Sequence, residues 1–124
     1  AIHAGWRGIR AGIINNAVRR IRAQGAHQLR AIIGPHISTE RYEFGAADLE
    51  SLVVVIGHQA VGCTQSGNLA LDLGAAVRKQ LGQNFVAVDH HVCRCTASDP
   101  RYWSHRADRD TQRTALIAEI RTSA

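Results

Sequence analysis

The densest chemistry in the chain stands at its start, in Ala1-Ile2-His3-Ala4-Gly5-Trp6-Arg7-Gly8-Ile9-Arg10-Ala11-Gly12. His3 can bind a metal or move a proton, because an imidazole titrates near neutral pH without help. Arg7 offers a planar fork of donors to a phosphate or carboxylate. Gly5 and Gly8 bracket Trp6 and Arg7 in a Gly-x-x-Gly spacing, with two apolar residues before His3 and a helical pattern directly after. That layout predicts strand, glycine turn and helix, with backbone N–H groups and a helix dipole aimed at an anion.

Further along, Cys63, Cys93 and Cys95 make an odd count without secretory context, so free thiols are expected rather than disulfides. Cys93-x-Cys95 is too tight for an ordinary structural bridge and lacks the second pair of a zinc ribbon. His90 and His91 suggest a metal cluster beside it. Neighbours on a strand point to opposite faces, however, so the two do not serve one ion, and His91 and Cys93 read as incidental. A Ser/His/Asp triad through Ser104 with Asp99 or Asp108 can be written down, but no spacing demands it. Tyr42 is expected to pack and Glu43 to cap the helix that follows. Glu43 as a site acid is the alternative.

With 124 residues, 45% hydrophobic and 20% charged, the chain can form one globular domain with a real core. It contains no apolar run of membrane-spanning length and does not open on a signal peptide, which predicts a cytoplasmic protein without a membrane partner. The formal net charge is +5. Arg10, Arg19, Arg20, Arg22 and Arg30 cluster in the first quarter, but Arg19, Arg20 and Arg22 fall on the solvated face of an amphipathic helix. Without interleaved aromatics this does not point to nucleic acid. No methionine is present and the chain opens inside an expected strand, so residues 1–124 read as a single domain lacking its N-terminal part, with a sheet edge left exposed.

The elements that must position these groups follow from periodicity. Ile9, Ile13, Ala17, Val18 and Ile21 predict one helix stopped by Gly25. Residues 28–33 predict a buried strand, 38–45 a turn-rich segment and 46–56 a helix, despite the strand propensity of Val53-Val54-Val55-Ile56. Residues 57–68 are expected to be a loop and 69–71 a short strand or a lead-in to the next helix. A helix over 72–81 follows, capped by Asp72 and stopped by Gly82. A strand over 85–88, a loop-rich stretch over 90–113 and a last strand over 114–120 complete the chain. Strands alternating with helices indicate an α/β sandwich, a mixed sheet flanked by helices and incomplete on its N-terminal side.

Ordered along this frame, several motifs carry a resemblance. His3-Ala4-Gly5-Trp6-Arg7-Gly8, Ile33-Gly34-Pro35-His36-Ile37, Tyr42-Glu43-Phe44-Gly45, Leu71-Asp72-Leu73, Cys95-Thr96, Trp103-Ser104-His105-Arg106 and Arg113 are similar, in order, to motifs of the laccase-domain, or polyphenol oxidase, family. Members of that family are also described as zinc-dependent purine nucleoside phosphorylases.

The resemblance implies one zinc held by two histidines and a cysteine. Carried over by motif, the histidines are His3 and His58. The cysteine position is occupied by Arg41, whose fixed positive charge cannot ligate a metal. Cys63 and His36 are the candidate substitutes, with no rule of spacing that places either. The resemblance also implies catalysis by His3 and Arg7, with phosphate and substrate held by Gly5, Trp6, Arg7, Gly8, Ser104 and Arg106. The implied reaction is phosphorolysis of adenosine, inosine or guanosine, with adenosine deaminase as a side activity. Two other readings stay open: a copper-dependent polyphenol oxidase, and a non-catalytic domain whose metal site was lost at Arg41.

Overall fold

The computed structural model of the chain describes residues 1–118. Residues 1–5 form no strand, so the expected strand ahead of His3 is absent. The first helical region is two helices rather than one: α1 (Trp6–Arg10) and α2 (Ile13–Ala23). They are separated at Ala11-Gly12, where Gly12 takes φ 74°. A left-handed residue ends a right-handed helix, and glycine adopts it without a Cβ penalty. Periodicity could not show the break, because Ile9 and Ile14 still turn towards the interior on either side of it.

β1 (Arg30–Ile33) leads through a 3-10 turn over Thr39–Arg41 to α3 (Ala46–Ile56), and a second 3-10 turn covers His58–Ala60. The β-branched run in α3 is helical because Leu49, Leu52 and Ile56 recur at helical spacing and are buried. Packing of that stripe outweighs the local preference for a strand.

β2 (Val61–Cys63), inside the stretch expected to be a loop, pairs antiparallel with β3 (Leu69–Leu71), which falls on the expected short strand. Three-residue strands are too short for alternation to reveal. The Tyr42–Phe44 segment lies along β3: Phe44 N–H donates to Leu69 O at 2.9 Å and Leu71 N–H to Tyr42 O at 3.1 Å. Extended backbone then sends Tyr42 and Phe44 inward and Glu43 outward.

α4 (Leu73–Gln83) begins where expected, and Asp72 Oδ1 accepts from Ala75 N–H at 2.7 Å. Replacing Asp72 by alanine removes this cap and is expected to lower stability by about 1 kcal/mol, read as a lower urea midpoint at unchanged m-value. Gly82 does not stop the helix. It ends two residues later, at Asn84 and the left-handed Phe85 (φ 54°). Asn84 Nδ2 donates to Gln80 O, and Asn84 O accepts from Arg22, so a side-chain amide does the work assigned to glycine.

β4 (Ala87–His91) pairs in parallel with β1, and the pairing continues past both strands as a bridge between His36 and Cys95. The expected mixed sheet is thus two small sheets, one parallel and one antiparallel, within a mixed α/β fold. α5 (His105–Asp108) lies in the loop-rich stretch. Residues 114–118 of the expected last strand are not in a strand, and the remainder of that prediction lies outside the described residues.

Two apolar clusters hold these parts together. The larger joins Ile9 to Leu49, Leu52 and Ile56 of α3, to Tyr42 and Phe44, and to Leu71, Leu73 and Ala76. The smaller joins Ile14 and Val18 of α2 to Ile33, Leu81 and Val86. Gln80, fully buried, donates from Nε2 to Ile9 O at 3.0 Å and so ties the end of α1 to α4.

Candidate functional site

The aromatic wall of the larger cluster carries the positive charge. Trp6 meets Phe44 edge to face, with centroids 5.5 Å apart, and Phe44 meets Tyr42 likewise at 4.9 Å. Arg7 lies 4.9 Å and Arg10 5.1 Å from the Trp6 ring. At the other end Arg106 lies 5.0 Å from the Tyr42 ring and 5.2 Å from Phe44. Each guanidinium lies over a ring face, and all three side chains belong to exposed residues. Arg106 Nη2 also donates to Glu43 O at 3.2 Å.

Burial pushes the Tyr42 hydroxyl pKa up, and Arg106 and Arg7 pull against it. One phenol therefore feels both cations, although they stand ninety-nine positions apart in the sequence. Alternation in Tyr42-x-Phe44 hints at a shared face. That this face joins the first box of the chain to α5 is visible only in three dimensions.

The other expected site residues take plain positions. His3 is exposed and folds back over the first turn. A Cβ on Gly5 would stand 2.9 Å from its Nε2, so glycine is what permits this approach. Gly5 caps α1 and Gly8 lies inside it, where a Cβ would press on Ile13 Cγ2 at 3.3 Å. The Gly-x-x-Gly spacing thus permits close approach at both glycines, and α1, which starts directly after Gly5, is a five-residue helix. Trp6 packs, as its type suggested. Ser104 is buried, and its hydroxyl accepts from Ala107 N–H at 3.3 Å to cap α5. Glu43 does not cap α3, whose cap is Gly45. Its carboxylate instead accepts from Asn68 Nδ2 at 3.0 Å.

A cleft of about 440 Å³ opens beside α5, walled by Glu40, Arg41, Glu43 and Asp108 among others. Its carboxylates can accept hydrogen bonds from hydroxyl or N–H groups, and Ala107, which adjoins Arg106, also lines it. A second cleft, of about 530 Å³, is lined by Cys93, Cys95 and Arg101 among others. There Arg101 pairs with Asp99 at 2.6 Å and holds its carboxyl at about 2. Cys63, Cys93 and Cys95 are all free thiols.

The motifs at both ends of this wall lie within one continuous match: residues 1–121 fit the model of the multi-copper polyphenol oxidoreductase laccases. The chain belongs to that family.

Among similar proteins, a purine nucleoside phosphorylase of Mycobacterium tuberculosis is 32% identical over 122 residues, covering 94% of this chain and 47% of the relative. Another of Xylella fastidiosa is 33% identical over 125 residues, covering 96% and 47%. The crystal structure of the Bacillus licheniformis hypothetical protein YfiH superposes with a TM-score of 0.74 at 26% identity, over 86% of this chain and 43% of that one. The laccase-family chain thus spans about half the length of these relatives.

The residues of this laccase-family chain that the resemblance implies as zinc ligands are not gathered into a site among the described residues. Among the described residues no three His, Cys, Asp or Glu side chains gather where they could share a metal ion. His58 is exposed at the start of its 3-10 turn, Cys63 is exposed in β2, and neither forms such a group with His3. Arg41, also exposed, brings a guanidinium to the third position. A catalytic zinc needs three protein ligands, and a multicopper centre needs several closely set histidines. No helix among the described residues is long and apolar enough to cross a membrane.

Proposed function

We propose that this chain supplies the phosphate-binding wall of a purine nucleoside phosphorylase. The observation that carries the reading is the convergence of Arg7 and Arg106 on the Tyr42–Phe44–Trp6 wall. The activity for which the relatives are named, purine nucleoside phosphorylase, supplies the reaction class.

In this reading the two guanidinium groups hold inorganic phosphate, and Glu43 and Asp108 in the adjoining cleft accept from ribose hydroxyls. A phosphate oxygen forms a bond to the anomeric carbon. The glycosidic bond breaks with its electron pair going to the purine nitrogen. Products are ribose 1-phosphate and the free base. The arginines contribute by placing the nucleophile and screening its charge, the kind of positioning that removes much of a bimolecular barrier. His3 is placed as a proton donor to the leaving base, and no step is routed through a metal.

The test is phosphate-dependent release of hypoxanthine from inosine, measured on protein purified without a histidine tag, with and without chelator and with zinc added. Metal content by elemental analysis runs alongside on wild type and His3→Ala. The expected result is turnover that requires phosphate and survives chelation. Turnover abolished by chelator and restored by zinc, with one zinc per chain lost in His3→Ala, would return the zinc mechanism. Phosphate-independent release of inosine from adenosine would make deamination the main activity. Oxidation of a phenol with copper bound would replace both.

A further inference from the structure

Away from this wall, two histidines lie face to face where β1, β4 and α4 meet. His36, from the segment after β1, and His91, at the end of β4, stack with centroids 5.0 Å apart and planes at 25°. Their Nε2 atoms are 2.8 Å apart. His36 Nδ1 is 2.9 Å from Ile37 O, and His91 Nδ1 is 3.0 Å from Arg78 Nη1.

The outer partners decide where the protons sit. A carbonyl oxygen only accepts, so His36 carries its hydrogen on Nδ1 and leaves Nε2 bare. A guanidinium only donates, so His91 Nδ1 is bare and its hydrogen lies on Nε2. At the centre, one Nε2–H then faces one bare Nε2. The result is an unbroken chain of donors from Arg78 to His91 to His36 to Ile37 O, satisfied only when both rings are neutral. Gly74 of α4 makes the room: a Cβ there would lie 3.0 Å from His36 Nε2 and 3.1 Å from His91 Cε1.

We propose that His36 and His91 form an acid-sensitive latch that holds the segment after β1 against β4 and α4 while both imidazoles are neutral. A proton added to His91 must go on Nδ1, against the donors of Arg78. One added to His36 must go on Nε2, against the N–H of His91. The charges acting on His91 are Arg78 of α4, Asp72 at the cap of α4, His36 from the segment after β1 and its strand neighbour His90. Of these only Asp72 favours a charged ring, and its carboxylate is already engaged by Ala75 N–H. Burial leads in pulling the His91 pKa below 6.5, helped by His36, Arg78 and His90 against Asp72.

The sign follows from that direction. The latch is at full strength above 6.5, where the unfolded histidine is also neutral. It is lost as pH falls from there through the lower folded value. What it releases is specific: His36 N–H donates to Arg94 O, Thr96 N–H to His36 O, and Ser38 N–H to Cys95 Sγ. Opening the latch frees the wall of the cleft that holds Cys95.

The experiment is imidazole NMR on the full chain between pH 8 and 5, with amide exchange at Thr96 followed in parallel. At the basic end His36 is expected as the Nδ1–H tautomer and His91 as the Nε2–H tautomer. His91 should titrate below 6.5, and Thr96 exchange, corrected for its intrinsic pH dependence, should quicken about tenfold or more over the same range. Arg78→Gln replaces a fixed donor by a side chain that can accept, and should raise the His91 midpoint by about half to one pH unit. Finding both rings as Nε2–H tautomers would overturn the latch without needing any variant. So would a His91 midpoint at or above 6.5, or one that Arg78→Gln leaves unmoved.

Discussion

Replacing Arg106 by alanine is expected to lower kcat/KM for inosine phosphorolysis by about 100-fold, and Arg7→Ala by a similar factor. The loss should appear mainly in the dependence on phosphate rather than on nucleoside, because the guanidinium groups are assigned to the anion. Arg106→Lys keeps the charge but loses the planar fork and the stacking on Tyr42 and Phe44, so it should recover only part of the activity. Thermal unfolding separates this from a packing effect. Arg106 is exposed, and its removal gives up a cation–π contact of about 0.5 to 1 kcal/mol rather than core burial. Variants that unfold at nearly the wild-type temperature yet keep wild-type phosphate dependence would remove Arg7 and Arg106 from the site. Arg10, which also flanks Trp6 and reaches Ser51 Oγ at 3.3 Å, is the internal control. Arg10→Ala is expected to change activity less than either.

The largest effect on stability is expected at Leu52. Its side chain is fully buried in the larger cluster, between α1, the Tyr42–Phe44 segment and α4. Leu52→Ala removes apolar contact and leaves a void that three separately anchored elements cannot close together, at a cost of about 2 to 5 kcal/mol. For a domain of this size that is a large share of the whole stability. Urea unfolding followed by far-UV circular dichroism gives the measurement, and a loss below about 1 kcal/mol would mean that α3 does not pack as described. Val54, on the same helix but 85% exposed, is the matched comparison: Val54→Ala should be nearly neutral.

Much of the frame was legible in the chain itself. Helix α3 and the start of α4 at Asp72 follow from periodicity and capping chemistry, which act over a few residues, and the short apolar run Leu69–Leu71 lies where a strand was expected. The ordered boxes from His3 to Arg106 pointed to the laccase family, and the match over residues 1–121 bears that out. Local signals failed where a partner far along the chain makes the decision. Gly12 breaks a pattern that stays apolar on both sides. Val61–Cys63 is a strand because Leu69–Leu71 pairs with it, and Asn84 ends α4 because Gln80 O and Arg22 meet it there.

The candidate site divides along the same line. Residue types alone determined that Arg7 can bind an anion, that Trp6 packs and that Arg41 cannot ligate a metal, since these are properties of side chains. Only the tertiary structure decided which charges share a surface. Arg7 and Arg106 flank the two ends of the stack of Trp6, Phe44 and Tyr42, and His36 finds His91 fifty-five residues away because β1 and β4 run in parallel register. No spacing rule reaches across such separations. They are set by how the apolar faces bury one another, and the polar groups take the neighbours that this burial leaves them.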